Sequence, residues 1–193
     1  MKSIRTFSLL AFVSLLGAHA GFTQGNPATP PKPQSPAQKS LLTQDDPSKR
    51  PSPPATATGK IGKATVTVAY SSPSVKGRTI WGSPLVPYGQ VWRAGANEAT
   101  TFTTDQPLTV EGKTLPAGTY SLFTIPTEKQ WTVIFNKTAQ QWGAYKYDQQ
   151  QDALRVTATP RKAANLQEKL VYDVTPQGLV LRWENLELPV AMK

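Results

Sequence analysis

The chain has 193 residues, with 21 Lys and Arg against 12 Asp and Glu, one histidine and no cysteine. The net charge of +9 is spread along the sequence rather than gathered on one element, which argues against a nucleic-acid interface. With no thiol, disulfides and cysteine nucleophiles are excluded.

Lys2 and Arg5 precede an apolar run from Phe7 to Leu16, and Ala18-His19-Ala20 places small residues where a signal peptidase reads. The pattern predicts a signal peptide over 1–20, cleaved after Ala20. The run falls short of the roughly 20 apolar residues that a membrane span needs, so no span is expected after cleavage. No cysteine follows it to carry a lipid, and the expected location is the periplasm or the cell exterior. His19 leaves with the leader, so the mature chain has neither imidazole nor thiol. That excludes Ser-His-Asp hydrolysis and the usual ligands of zinc, copper and haem, and no cofactor is expected. An oxygen-only calcium site stays open, without any loop of EF-hand type.

Residues 21–58 hold nine of the eighteen prolines and almost no aromatic residue. They read as a disordered, extended linker. The domain is expected over 59–193, which holds all five tryptophans and all six tyrosines. Its fifteen Lys and Arg against ten Asp and Glu leave +5.

Strand periodicity runs through the domain. Ala64, Val66, Val68 and Tyr70 alternate with Thr65, Thr67 and Ala69 until Pro73, and Ala99 to Thr104 is rich in threonine. Leu108 to Leu115 reads as a tight hairpin turning at Glu111-Gly112. Thr119 to Ile125 and Trp131 to Phe135 form a second hairpin, and Leu154 to Ala158 another strand. Leu166, Glu168, Leu170, Tyr172 and Val174 share one face, with 161–167 alternatively one helical turn. Pro176-Gln177-Gly178 turns the chain into Leu179–Trp183 and Leu186–Val190, with a bulge expected at Glu184-Asn185. The pattern predicts an all-β fold, a single antiparallel β-sandwich of jelly-roll-like type, with a closed barrel as the alternative.

One stretch is richer than a plain strand: Gly77-Arg78-Thr79-Ile80-Trp81-Gly82, then Val86 to Thr100. Glycines admit close backbone approach, and the side chains between them suit a glycan or small polar ligand. Trp81 and Trp92 offer aromatic faces to a sugar, while Arg78, Arg93, Asn97 and Glu98 offer grips for hydroxyls or a carboxylate. Trp142, Tyr145 and Tyr147 make a second aromatic loop that either lines the same cleft or covers a sheet edge. Structural roles compete for most of these residues. Both tryptophans suit core packing, Arg93 with Glu98 suits an ion pair closing the loop, and Asn97 suits a turn cap. Asp148 and Asp152 read as a solvated loop.

These residues carry a resemblance. Gly-Arg-x-Ile-Trp-Gly, then Val-Pro-Tyr-Gly-x-Val-Trp-Arg-x-Gly-Ala-Asn-Glu-x-Thr, resembles the signature of the domain-of-unknown-function 2911 family. So do the run from Val110 to Pro126 and Trp131 to Asn136. The likeness spans nearly all of Lys60 to Val190 and implies an exported β domain of this length, without an activity.

Three functions compete. A binding module would use the 77–100 loop. In a carboxylate-dependent hydrolase or lyase, acid-base catalysis would fall to Glu98 with Asp152 or Glu184, or to a tyrosine or lysine. A structural or protein-interaction domain would need no small-molecule site.

Overall fold

The structure is a computed structural model that describes residues 46–193. The expected signal peptide, and the expected linker up to residue 45, lie outside the described residues. Ten strands follow in order: β1 (Pro54–Ile61), β2 (Ala64–Ser71), β3 (Thr100–Thr104), β4 (Leu108–Val110), β5 (Lys113–Leu115), β6 (Gly118–Ile125), β7 (Trp131–Asn136), β8 (Asp152–Ala158), β9 (Arg161–Thr175) and β10 (Gly178–Ala191). Among the described residues no helix is long and apolar enough to cross a membrane.

Six strands form one antiparallel sheet in the order β1-β2-β3-β6-β7-β8. The long β9–β10 hairpin and the short β4–β5 hairpin make the second layer. The amide of Thr109 donates to Lys193 (2.8 Å), that of Lys193 returns to Thr109 (3.0 Å), and that of Glu111 donates to Ala191 (2.9 Å). The layers pack face to face as a β-sandwich. Val66, Val68, Phe102, Leu122 and Phe135 of the sheet share one core with Leu170, Tyr172, Leu181 and Leu188 of the hairpin.

Beyond the core, the outer face of the sheet's centre is also covered. Ala99, Phe123 and Ile134 form a second buried cluster under Val91, Ala144 and Tyr147. This double coverage explains why consecutive residues of β6 and β7 are buried rather than alternate ones.

The fold begins earlier than the proline content suggests. Residues 46–58, expected as linker, are folded: Asp46 caps a 3-10 turn at Pro47–Lys49, and β1 opens at Pro54. Pro54 stands at the first position of an edge strand, where a missing N–H costs nothing. Behind it Ala55-Thr56-Ala57-Thr58 alternates with period two, inward residues small and threonines exposed. They must be small because β9 crosses there. A Cβ on Gly59 would stand 2.8 Å from the carbonyl oxygen of Val174.

Residues 161–167 belong to β9 and form no helical turn. Their pairing to β10 overrides the helical preference of Lys162-Ala163-Ala164. The bulge at Glu184-Asn185 is present: the register shifts on both sides of Glu184, which sits at φ +57°. The tight turn at Glu111-Gly112 is present too, both residues at positive φ (+45° and +80°) as a two-residue hairpin loop requires.

Candidate functional site

Trp92 and Thr100 both pair with β6, Trp92 opposite Thr124 and Thr100 opposite Leu122. Residues 93–99 therefore leave the strand line as a closed loop, its neck fixed by the amide of Thr100 donating to the carbonyl of Arg93 (3.2 Å). Inside it, Ala94 and Asn97 hold left-handed backbone angles (φ +53° and +56°), unusual for residues with a Cβ. Surrounding bonds over-determine that conformation. The buried Tyr172 hydroxyl donates to the carbonyl of Ala94 (2.7 Å), the Thr100 hydroxyl donates to the same oxygen (3.0 Å), and the amide of Ala96 donates to Ser71 (3.2 Å). Burial pushes the Tyr172 hydroxyl pKa far up, so it remains a donor at any physiological pH.

The second aromatic loop docks directly on this one. The amide of Gly143 donates to Asn97 (3.1 Å), and that of Ala99 donates to Gln141 (2.9 Å). From below, the loop is anchored by a buried polar network at the end of β7. Asn136, fully buried, donates its amide to Asp152 (2.8 Å) and to the carbonyl of Asp148 (2.9 Å). The Tyr147 hydroxyl donates to the other Asp152 oxygen (2.7 Å), and Arg155 lies 3.3 Å from that carboxylate. Burial, and then Asp152, push the Tyr147 hydroxyl pKa up. The side chain of Asp152 is only 7% exposed, so the solvated-loop expectation fails for it.

The residues expected at the site divide into three groups. Trp92 is 5% exposed and belongs to a cluster of four tryptophans, so its ring faces are closed to a ligand. It stacks on Trp183 (6.1 Å between centroids, 13° between planes) and meets Trp81 (5.9 Å) and Trp131 (6.4 Å) edge-on. Trp81, half-buried, also packs edge-on against Trp131 and Trp183. Arg78 is exposed, and its Nε and Nη2 donate to the carbonyls of Val75 (3.0 Å) and Ser74 (2.5 Å). With Trp81, Tyr88, Glu184 and Asn185, Arg78 lines a depression of about 420 Å³ that includes neither docked loop.

Asn97 and Glu98 are claimed by the segment preceding β1. Asn97 Nδ2 donates to the carbonyl of Ser52 (3.0 Å), and Arg50 Nη1 donates to Glu98 Oε1 (2.8 Å). The expected Arg93–Glu98 ion pair is replaced by this one. Desolvation raises the Glu98 pKa, but bonds from Arg50, the backbone and Ser71, with the charge of Arg50, outweigh it and hold the carboxyl below its usual range. A carboxyl so held is ionised at neutral pH and unsuited to general-acid work. Asp152, its suggested partner, is committed to Asn136 and Tyr147.

Arg93, Trp142 and Tyr145 remain. Arg93 is half-buried, and its Nε is sealed from water without a hydrogen-bond partner. Burial lowers the guanidinium pKa while the nearby Tyr145 acts in the opposite sense. Trp142 is 57% exposed and Tyr145 85%. The anchors missed in the sequence are Tyr172, Asn136 and Tyr147. Tyr172 and Tyr147 read there as a strand-face residue and an aromatic-loop residue, and Asn136 shows only as a polar residue closing the apolar run Trp131 to Phe135.

The geometry defines a β-sandwich domain presenting one arginine and two exposed aromatic rings on two fastened loops. The chain belongs to the family described as protein of unknown function (DUF2911), whose profile matches residues 52–192. No curated protein and no solved structure matches it.

Proposed function

We propose that this is an exported binding module that holds a glycan or similar small polar ligand on the surface formed by Trp142, Tyr145 and Arg93. The observation that carries the reading is the exposure of Trp142 and Tyr145 on a loop secured by part-buried hydrogen bonds. Large aromatic faces left in water on a mobile loop would signify little. Held in place, they present flat apolar area at small entropic cost, which suits the apolar face of a sugar ring. Arg93, near Tyr145, supplies a polar grip.

Calorimetric titration of the purified protein with neutral and acidic oligosaccharides tests this. A saturable heat is expected for at least one ligand, with affinity falling on the order of tenfold in Trp142→Ala. Tyr88→Ala removes another exposed ring outside the two loops and is expected to leave binding unchanged. No binding by the folded protein, or parental affinity in Trp142→Ala, would overturn the reading.

Export is supported by the basic, apolar and small-residue order of 1–20. Mass spectrometry of the protein recovered from its producing cells is expected to show an N-terminus at Gly21. An intact Met1 terminus on the exported form would remove this part of the proposal.

A further inference from the structure

We infer that the ligand of this surface is an anion bearing a carboxylate, a sugar acid rather than a neutral sugar, gripped by the guanidinium of Arg93. The inference rests on the reading that Trp142 and Tyr145 form the binding surface, and adds the chemical class of what lies there.

The argument begins with the partners of the arginines. Six lie in the described residues, and five are engaged. Arg50 pairs with Glu98, Arg155 with Asp152, Arg161 with Glu187, and Arg182 with Glu187 and Asp173. Arg78 binds two carbonyls of its own loop. Arg93 alone has neither an ion pair nor a side-chain hydrogen bond, although it is more withdrawn from water than Arg78 or Arg161. Partial burial of an unpaired cation is costly, and the sealed Nε donor of Arg93 is left unsatisfied.

The fold keeps Arg93 in that condition. The one carboxylate on its own loop, Glu98, is held by Arg50 from the opposite direction. Ala94, the next residue, is locked at φ +53° by the bonds from Tyr172 and Thr100 to its carbonyl, so the loop cannot relax to turn Arg93 toward an acid. The side chain near it is that of Tyr145, which is no carboxylate. The arrangement is a preorganised cation lacking its counter-charge, with the Tyr145 ring near it and Trp142 on the same loop as that ring.

A single planar guanidinium matches the two oxygens of a carboxylate in a fork, which a neutral hydroxyl cannot reproduce. Phosphate shares the negative oxygens, so the test must separate the two.

The full-length mature protein would be titrated with galacturonate oligomers, with galactose oligomers of equal length, and with inorganic phosphate as a competitor. Tighter binding of the acidic series is expected, on the order of 10- to 100-fold, weakening as salt rises. Arg93→Met, which keeps the aliphatic stem, is expected to erase the difference between the series. Arg93→Lys keeps the charge without the fork and is expected to restore only part of it. Because Arg93 has no structural partner, Arg93→Met without ligand is expected to melt at or above the parental temperature. Equal binding of acidic and neutral series would overturn the inference while leaving the aromatic surface standing. Binding of neither series would overturn both. Phosphate displacing the acidic oligomer at matching concentration would overturn the carboxylate assignment, and a lowered melting temperature in Arg93→Met would overturn the absence of a structural partner.

Discussion

Replacing Trp92 with alanine is expected to cost about 3–5 kcal/mol of stability, the range for deleting a large buried aromatic side chain. The ring is 5% exposed, stacks on Trp183 and meets two further indoles edge-on. Backbone bonds prevent collapse into the space left behind. The amide and carbonyl of Trp92 are both bonded to Thr124, at 2.8 and 2.9 Å, so the chain cannot move inward to fill the cavity. The indole N–H groups of Trp81 and Trp183 are buried without partners, so these two rings are held by packing alone and the cluster is sensitive to the loss of a ring. Urea denaturation followed by far-ultraviolet circular dichroism would measure the change. A loss below about 1 kcal/mol would mean that the cluster repacks and that Trp92 is not a structural support. The expected result also bears on binding, since a weaker ligand affinity in this variant would reflect unfolding rather than a lost contact.

Asp152→Ala is expected to be the next most damaging change, on the order of 3 kcal/mol. The carboxylate accepts from the fully buried Asn136 and from Tyr147, and it neutralises Arg155. Its removal strands two donors and a cation at once, whereas Asp152→Asn would keep part of the network. The two variants should separate in hydrogen exchange. In Asp152→Ala the amides of Ala99 and Gly143, which join the two loops, are expected to exchange faster along with 137–151. Protection equal to the parent at those amides would show that the network does not hold the loop. Ligand affinity is expected to fall with the protection, because Trp142 is carried by the same segment.

The strands were legible because their signals are local. Alternation in 64–70, the Glu111-Gly112 turn and the Glu184-Asn185 irregularity each depend on neighbours in sequence, and each is present in the fold. β1 was hidden by its surroundings: proline density dominated a stretch whose Ala-Thr alternation extends only from Ala55 to Thr58. The extent of β9 was obscured because its first half is largely exposed and so lacks an apolar face.

Around the candidate site, the partners of individual residues were misread. Trp92 and Arg93 are adjacent, and strand geometry sends adjacent side chains to opposite faces, so both could never have served one ligand from a paired strand. The Arg93–Glu98 pair looked natural at a spacing of five residues, yet the loop between them carries two left-handed residues and Arg50 reaches Glu98 from 48 residues away. Asn136 and Asp152 meet only through the register of β7 on β8, where they are opposed. Such a pairing cannot be read until both strands are aligned.

The grouping of indoles has an optical consequence. Trp81, Trp92, Trp131 and Trp183 lie with ring centroids 5.0 to 6.4 Å apart in the pairs that touch, close enough to share excitation. Trp142 stands outside the group and in water. Light absorbed by the four should emerge as one blue-shifted, quencher-resistant emission, and that of Trp142 as a red-shifted component open to acrylamide. The protein thus carries two independent fluorophores, one reporting on the core and the other on the surface of the docked loops.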